Sequence, residues 1–316
     1  MIRVPTGGAT PASIVDTLKA MAGASPKARA RFAKGRCVRG TYIPSDRAEE
    51  ITKSRSFTGA SRVVARFAVD GNSRMPDTDN PVLRGFSFNP VLRGFSFRLG
   101  DVDHRSDILT QSAPVHYART LAQMLAYLKV RVPTPDGRPD PDKFEAFSTA
   151  NPETLHQASY MAAHPLPASF ADTTYWAVHS FPATNGRDET QFIKFKIVPV
   201  GNRAAPTEDV AETKPGAFLH DDLQSRIAAR DIRFSLMAVL GRPGDPILDV
   251  TTRWPDEDQR ETVRLGTIVI TAIEANEVCD ALAFDPAALA EGIGYPPDEI
   301  FAARRAAYAT SLAQRR

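Results

Sequence analysis

The sequence predicts an α+β fold built on an antiparallel barrel or strongly curled sheet, with helices gathered at its ends. Strand-length apolar segments recur at Ser61–Val69, Asp107–Gln111, Thr173–Phe181, Thr190–Pro199, 231–240 and 262–272. Turn-length links such as Asn185-Gly186-Arg187-Asp188 suit antiparallel neighbours better than parallel ones. Apolar residues at helical spacing fall outside these segments, near the two termini and in a few connections.

Taken in order, Thr10-Pro11 opens a helix whose Ile14, Val15, Leu18 and Met21 share a face. A short charged helix precedes the strand Ser61–Val69. Asp70-Gly71-Asn72-Ser73 then turns the chain into a loop from Arg74 to Asn80. The nine residues 80–88, Asn-Pro-Val-Leu-Arg-Gly-Phe-Ser-Phe, recur letter for letter at 89–97. That unit is too short for a solenoid repeat. The second copy, continuous with Arg98-Leu99-Gly100, is expected to be the strand, and the first to be displaced. An odd register shift would turn every side chain to the wrong face.

After the strand Asp107–Gln111 a helix is expected from Thr120 to Val130, with Leu121, Met124, Leu125 and Leu128 on one side. The proline-rich stretch 131–172 reads as short helical pieces. A helix over 217–229 separates the strand pairs, and a last helix follows Pro296-Pro297.

Composition narrows the function. A net charge of +2 gives no reason to expect a nucleic-acid partner, and no run of 18 apolar residues spans a membrane. No export signal is visible, so the cytoplasm is the default expectation, and the periplasm if a leader has been removed. Cys37 and Cys279 lack metal-ligand spacing and are expected to make no disulfide framework. The histidines show no metal-ligand spacing, and no phosphate loop or nucleophile elbow is present.

The last helix carries the most chemistry. Arg304 and Tyr308 are four residues apart and share one helix face. A free phenol is neutral at pH 7. A ferric ion in front of it and a guanidinium beside it both favour the anion, which is the form that ligates haem iron through tyrosine. Taken alone, the segment equally fits a helix burying an aromatic while Arg304 reaches solvent.

Other motifs add to this pair. In order they are Ala33-Lys34-Gly35 with Gly40-Thr41-Tyr42; Ala65-Arg66-Phe67; Leu92-Arg93-Gly94-Phe95; and Asp107-Ile108-Leu109 with Ala113-Pro114. Val178-His179-Ser180-Phe181 with Lys194-Phe195-Lys196 follows, before Arg304 and Tyr308. In this arrangement the chain resembles the catalase superfamily, in its small catalase-related peroxidase branch.

The resemblance implies one domain over 1–316: an N-terminal arm to residue 30, a barrel with helical insertions over 31–275, and a C-terminal part over 276–316 carrying the proximal ligand. It implies one haem b between barrel and C-terminal helix, with Tyr308 on the iron and Arg304 keeping it anionic. Arg29 and Arg66 match positions that neutralise the propionates. The implied partners are a peroxide and a small reductant, and a homodimer is an assembly the family allows.

The departures bear on mechanism. The family's distal histidine is Phe32 here, its supporting serine is Ala68, and its distal asparagine aligns with Gln111. Peroxide activation needs a base to take a proton from one peroxide oxygen and return it to the other. Phe32 can do neither, so catalase turnover is expected to be weak. Gln111, through an amide donor, and His116, through its imidazole, are the candidate replacements. Tyr117 and Met124 match apolar pocket-wall positions but read as core-packing residues, and His179 reads as a structural residue of the barrel wall.

Three readings follow. The first is a haem peroxidase acting on hydrogen peroxide or organic hydroperoxides. The second is a lyase or isomerase of an organic hydroperoxide, and the third a haem sensor without turnover.

Overall fold

The structure is a computed structural model that describes residues 8–22, 28–71, 77, 92–134, 138–164, 167, 169–201 and 217–315. Nine strands form one antiparallel sheet among these residues. They are β1 (Lys34–Pro44), β2 (Ser61–Val69), β3 (Arg93–Leu99), β4 (Ser106–Gln111), β5 (Tyr175–Trp176), β6 (Phe181–Thr184), β7 (Thr190–Pro199), β8 (Ile232–Leu240) and β9 (Thr262–Ile273). The order is β5-β4-β3-β2-β1-β9-β8-β7-β6, and β5 also pairs with β7. Because β5 and β6 share one edge of β7, the sheet closes into an eight-strand barrel.

Side chains alternate across the wall, as strand geometry requires. Phe67, Phe95, Phe97, Tyr175, Phe195 and Phe234 fill the interior, with Phe67 and Phe95 stacked at 4.4 Å. Closure without a free edge, around a core rich in aromatics, makes a rigid support for the outer face. Gly40 marks the bulge in β1, where a Cβ would lie 1.9 Å from the Val269 carbonyl oxygen.

The helices are α1 (Pro11–Ala22), the single turns α2 (Ala48–Ile51) and α3 (Arg55–Thr58), α4 (Leu121–Lys129), α5 (Pro141–Ala150), α6 (His156–Ala163), α7 (Phe218–Ala229), α8 (Asn276–Ala281) and α9 (Glu299–Ala313). Thr10 and Ser13 cap α1 reciprocally, each hydroxyl accepting the other's backbone N–H. Thr120 caps α4 and Asp298 caps α9. α1 packs on α4 and α9, and the three stand against the outer face of the barrel. Among the described residues no helix is long and apolar enough to cross a membrane.

Most strand expectations match within a residue or two, but β1 was not among them, and three further points differ. The segment expected as one strand over Thr173–Phe181 is interrupted between β5 and β6: the Ala177 N–H still bonds the Phe195 carbonyl at 3.0 Å, and the chain leaves the ladder after it, beside buried His179. α8 carries no periodic signal in its six residues and was not expected. Cys37 and Cys279, expected to make no disulfide framework, are joined by a disulfide. They are 242 residues apart, so only barrel closure and the position of α8 bring them together. In the tandem repeat the second copy supplies β3, while the first copy lies outside the described residues, as does most of the loop from Arg74 to Asn80.

Candidate active site

A cleft of about 1430 Å³, partly open to solvent, lies between the barrel's outer face and helices α1, α4 and α9. Its barrel wall follows from strand register. Gly35, Ala68, Gly94, Gln111 and Trp176 stand opposite one another in a row from β1 to β5. Small residues at its centre leave room, and Phe32 fills part of it: a Cβ on Gly94 would touch the Phe32 ring at 3.2 Å.

The helical wall is a stripe on α9. Ile300, Ala303, Arg304, Ala307, Tyr308 and Ser311 recur at three- and four-residue spacing and all line the cleft. α1 contributes Pro11, Ile14, Val15 and Leu18, and α4 contributes Leu121 and Met124.

A hydrogen-bonded chain runs along one side. Asp298 Oδ2 accepts the Nδ1–H of His179 at 2.8 Å. Nε2 of His179 faces Nη1 of Arg304 at 2.8 Å, and Nη2 of Arg304 donates to the Tyr308 phenol oxygen at 3.3 Å. A guanidinium has no acceptor, so Nε2 must accept, and His179 is neutral with its proton on Nδ1. Burial, opposed in part by Asp298, lowers the pKa of His179 and agrees with that tautomer. Asp298 does two jobs, since its Oδ1 also accepts the Phe301 N–H that starts α9.

Charge in the cleft is one-sided. Arg29, Arg31, Arg66, Arg304 and Arg315 line it, and no Asp or Glu does among the described residues. Arg31 is neutralised by a bidentate pair with Asp70, at 2.8 and 2.7 Å. Arg29 donates through Nη2 to the Cys279 carbonyl at 2.6 Å and to Asp280 at 3.2 Å, while its buried Nε has no protein acceptor. Arg66 is buried and, among the described residues, bonds the carbonyls of Phe32 and Ala33 and no carboxylate. Burial, with Arg29 adding repulsion, lowers its pKa to about 9. A buried guanidinium without a carboxylate is costly unless an anion joins it.

Phe32 has φ of 54°, in the left-handed region that an aromatic residue rarely occupies. The Arg66 bond to its carbonyl and the Arg31–Asp70 pair on its other side hold it there. Gln111 lines the cleft, but its amide nitrogen donates to the carbonyls of Ala113 at 3.3 Å and Val115 at 2.8 Å. The donor expected to reach a bound oxygen is therefore taken by the turn that follows β4. His116 also lines the cleft, with Nδ1 2.9 Å from the Ala118 carbonyl and the ring stacked on Tyr117 at 4.2 Å. The Ala118 N–H also points at Nδ1, at 3.2 Å; Nε2 is the bare nitrogen in the tautomer whose Nδ1–H donates to the carbonyl, and carries the proton in the other. Burial, with Arg31 nearby, lowers the pKa of His116 to about 3. Met124 lines the cleft, while Tyr117 packs in the core against Ile14 and Tyr127.

A sequence profile described as Catalase matches residues 13–316. The chain belongs to the catalase family. It is similar to a catalase-related peroxidase of Synechococcus elongatus, with 28% identity over 313 residues covering 98% of this chain and 89% of that one. A second catalase-related peroxidase, from Mycolicibacterium paratuberculosis, is 26% identical over 97% of this chain and 95% of its own length. Among solved structures, a fungal catalase superposes with a TM-score of 0.78 at 19% identity, over 96% of this chain. A bacterial catalase gives 0.77 over 91%. The chain spans 62% and 57% of those two proteins, so the full-length catalases carry further sequence.

The catalase family uses haem, and the residues here fit that group. The cleft combines apolar walls, a phenol backed by a guanidinium, the buried Arg66 paired with no carboxylate among the described residues, and the Arg29 Nε left without a protein acceptor. That donor set suits a flat dicarboxylate ligand with a metal at its centre. Sequence reasoning missed Arg31 and Arg315 as cleft residues and Asp298 as the partner of His179. The Val-His-Ser-Phe motif and the acidic residue before α9 were the available signals, but nothing local joins residues 179 and 298.

Proposed function

We propose that this chain is a haem peroxidase that reduces hydrogen peroxide or organic hydroperoxides with electrons from a small donor, with weak catalase turnover. The observation that carries the reading is the chain from Asp298 through His179 and Arg304 to the Tyr308 phenol, set in a cleft lined by arginine and by no carboxylate. Haem, when bound, supplies the iron that passes electrons from donor to peroxide.

The protein's own residues do the rest. Tyr308 would hold the iron through its phenol oxygen, at which Arg304 places a positive charge and an N–H. His179 fixes Arg304 by accepting from Nη1, and Asp298 fixes the tautomer of His179. Arg29 and Arg66 would hold the propionates through charge-assisted hydrogen bonds. Phe32 and Ala68 fill the wall without offering a proton acceptor.

His116 is then the imidazole that takes the peroxide proton and returns it to the leaving oxygen. Its pKa near 3 keeps it neutral and able to accept, but makes it a weak base, and this accounts for slow turnover. The apolar side chains of α1 and α4 favour an organic hydroperoxide over hydrogen peroxide. A lyase acting on the same substrate would be distinguished by a rearranged product formed without consumption of a reductant.

The test is peroxide turnover by haem-loaded wild type, Phe32→His and His116→Phe. Phe32→His is expected to raise oxygen release from hydrogen peroxide by about 100-fold, the usual worth of a placed acid–base group. His116→Phe is expected to abolish peroxidase turnover with the haem spectrum unchanged. Undiminished turnover in His116→Phe would remove that residue from the mechanism.

A further inference from the structure

Cys37 lies on β1 directly opposite Arg66 on β2. Its disulfide partner Cys279 lies in α8, and both are fully buried. The carbonyl of Cys279 itself accepts from Arg29, and the next residue, Asp280, is the second partner of Arg29. Phe284, five residues on, packs in one cluster with both cysteines and also lines the cleft. One covalent bond thus pins the segment that carries the partners of Arg29.

The residues after α8 have ties of their own, Arg98 donating to the Ala283 carbonyl at 3.0 Å and the Asp285 N–H to Asp107 at 2.8 Å, so the disulfide matters most at α8 itself. α8 has six residues and no side-chain cap, and a helix so short has little stability of its own. Its other ties to β1 are the Cys37 N–H to Asn276 Oδ1 at 3.0 Å and the Glu274 N–H to the Cys37 carbonyl at 2.9 Å. Without the disulfide, Arg29 keeps its charge but loses fixed acceptors, and a ligand must then pay for ordering it.

We propose that the Cys37–Cys279 disulfide is a positioning element of the cofactor cleft: it holds Arg29 ready for a ligand carboxylate, and reducing it weakens the hold on a dicarboxylate porphyrin. The proposal rests on the haem reading above. In the reduction the S–S bond takes two electrons and two protons to give two thiols, and a dithiol reagent is oxidised to its own disulfide.

The experiment uses metal-free protoporphyrin IX and its dimethyl ester, so that neither iron nor turnover enters the readout. Each is titrated into the intact protein, into dithiothreitol-reduced protein, and into a Cys37→Ser, Cys279→Ser double variant. Loss of the disulfide is expected to weaken binding of the diacid about tenfold, the worth of one charge-assisted hydrogen bond, and to leave the ester unchanged. Arg29→Gln with the disulfide intact is expected to show the same loss. Adding the cysteine substitutions to it should cost little more, because both act through one group.

Equal weakening of diacid and ester would mean a general loosening of the fold and would overturn the proposal. So would diacid binding that ignores the disulfide. If the double variant does not fold, Asp280→Asn, which keeps the disulfide, is expected to reproduce part of the diacid loss, and no loss there counts against the proposal. An intact protein that binds neither porphyrin would sink the haem reading itself, and this proposal with it.

Discussion

At the scale of single residues, the cleft is defined by what each side chain can accept or donate. Tyr308 receives an N–H from Arg304, which the helix spacing alone places within reach. Tyr308→Phe removes the oxygen and keeps the ring, so it should fold normally yet lose the ferric haem spectrum and most haem affinity. A variant with an unaltered spectrum would show that another residue holds the iron. Gln111 teaches the opposite lesson. Its residue type suits a donor role, but backbone carbonyls two and four residues ahead take its protons first.

At the scale of elements, α9 presents Arg304 and Tyr308 to the cleft, with its control point at the cap. Asp298 closes the helix start through Phe301 and orients His179 with its other oxygen. Asp298→Ser keeps a capping group but cannot also hold His179, whereas Asp298→Ala loses both. The alanine variant should therefore lose about 1 kcal/mol more than the serine variant in urea unfolding. Both should alter the haem spectrum to a similar extent, since both release His179. A spectrum altered only in the alanine variant would assign the effect to helix fraying instead. The interruption between β5 and β6 belongs to the same device, because it is where the wall yields the backbone that carries His179.

At the scale of the whole molecule, barrel closure and the disulfide set the frame, and buried histidines set its response to acid. A disulfide spanning 242 residues restricts the unfolded chain, an effect of about 5 kcal/mol in the chain-entropy view. His116 and His179 are both held neutral by burial, His116 with its pKa at about 3. The unfolded chain takes up their protons below the ordinary value of 6.5, while native His116 does not until about 3. Between those limits the unfolded state binds more protons, so stability falls as pH falls. The urea midpoint should therefore begin to drop below roughly pH 7 and keep dropping to about 3, where native His116 also takes up its proton. His116→Phe should flatten that drop, and an equally steep drop in the variant would contradict the burial of a neutral imidazole at this position.

The sequence by itself determined most of the elements, though not β1 or α8, and the pairing of Arg304 with Tyr308, because these follow from periodicity over a few residues. Alternation marked β2 and β7, and helical spacing marked α1, α4 and α9. The motif order was enough to indicate the catalase family. Only the tertiary structure decided which distant groups meet. Closure of the barrel brought Cys37 to Cys279 and His179 to Asp298, and packing of α1, α4 and α9 against it gathered Arg29, Arg31, Arg66 and Arg315 around one cleft. No local pattern encodes such contacts, since they depend on register and closure summed over the whole sheet.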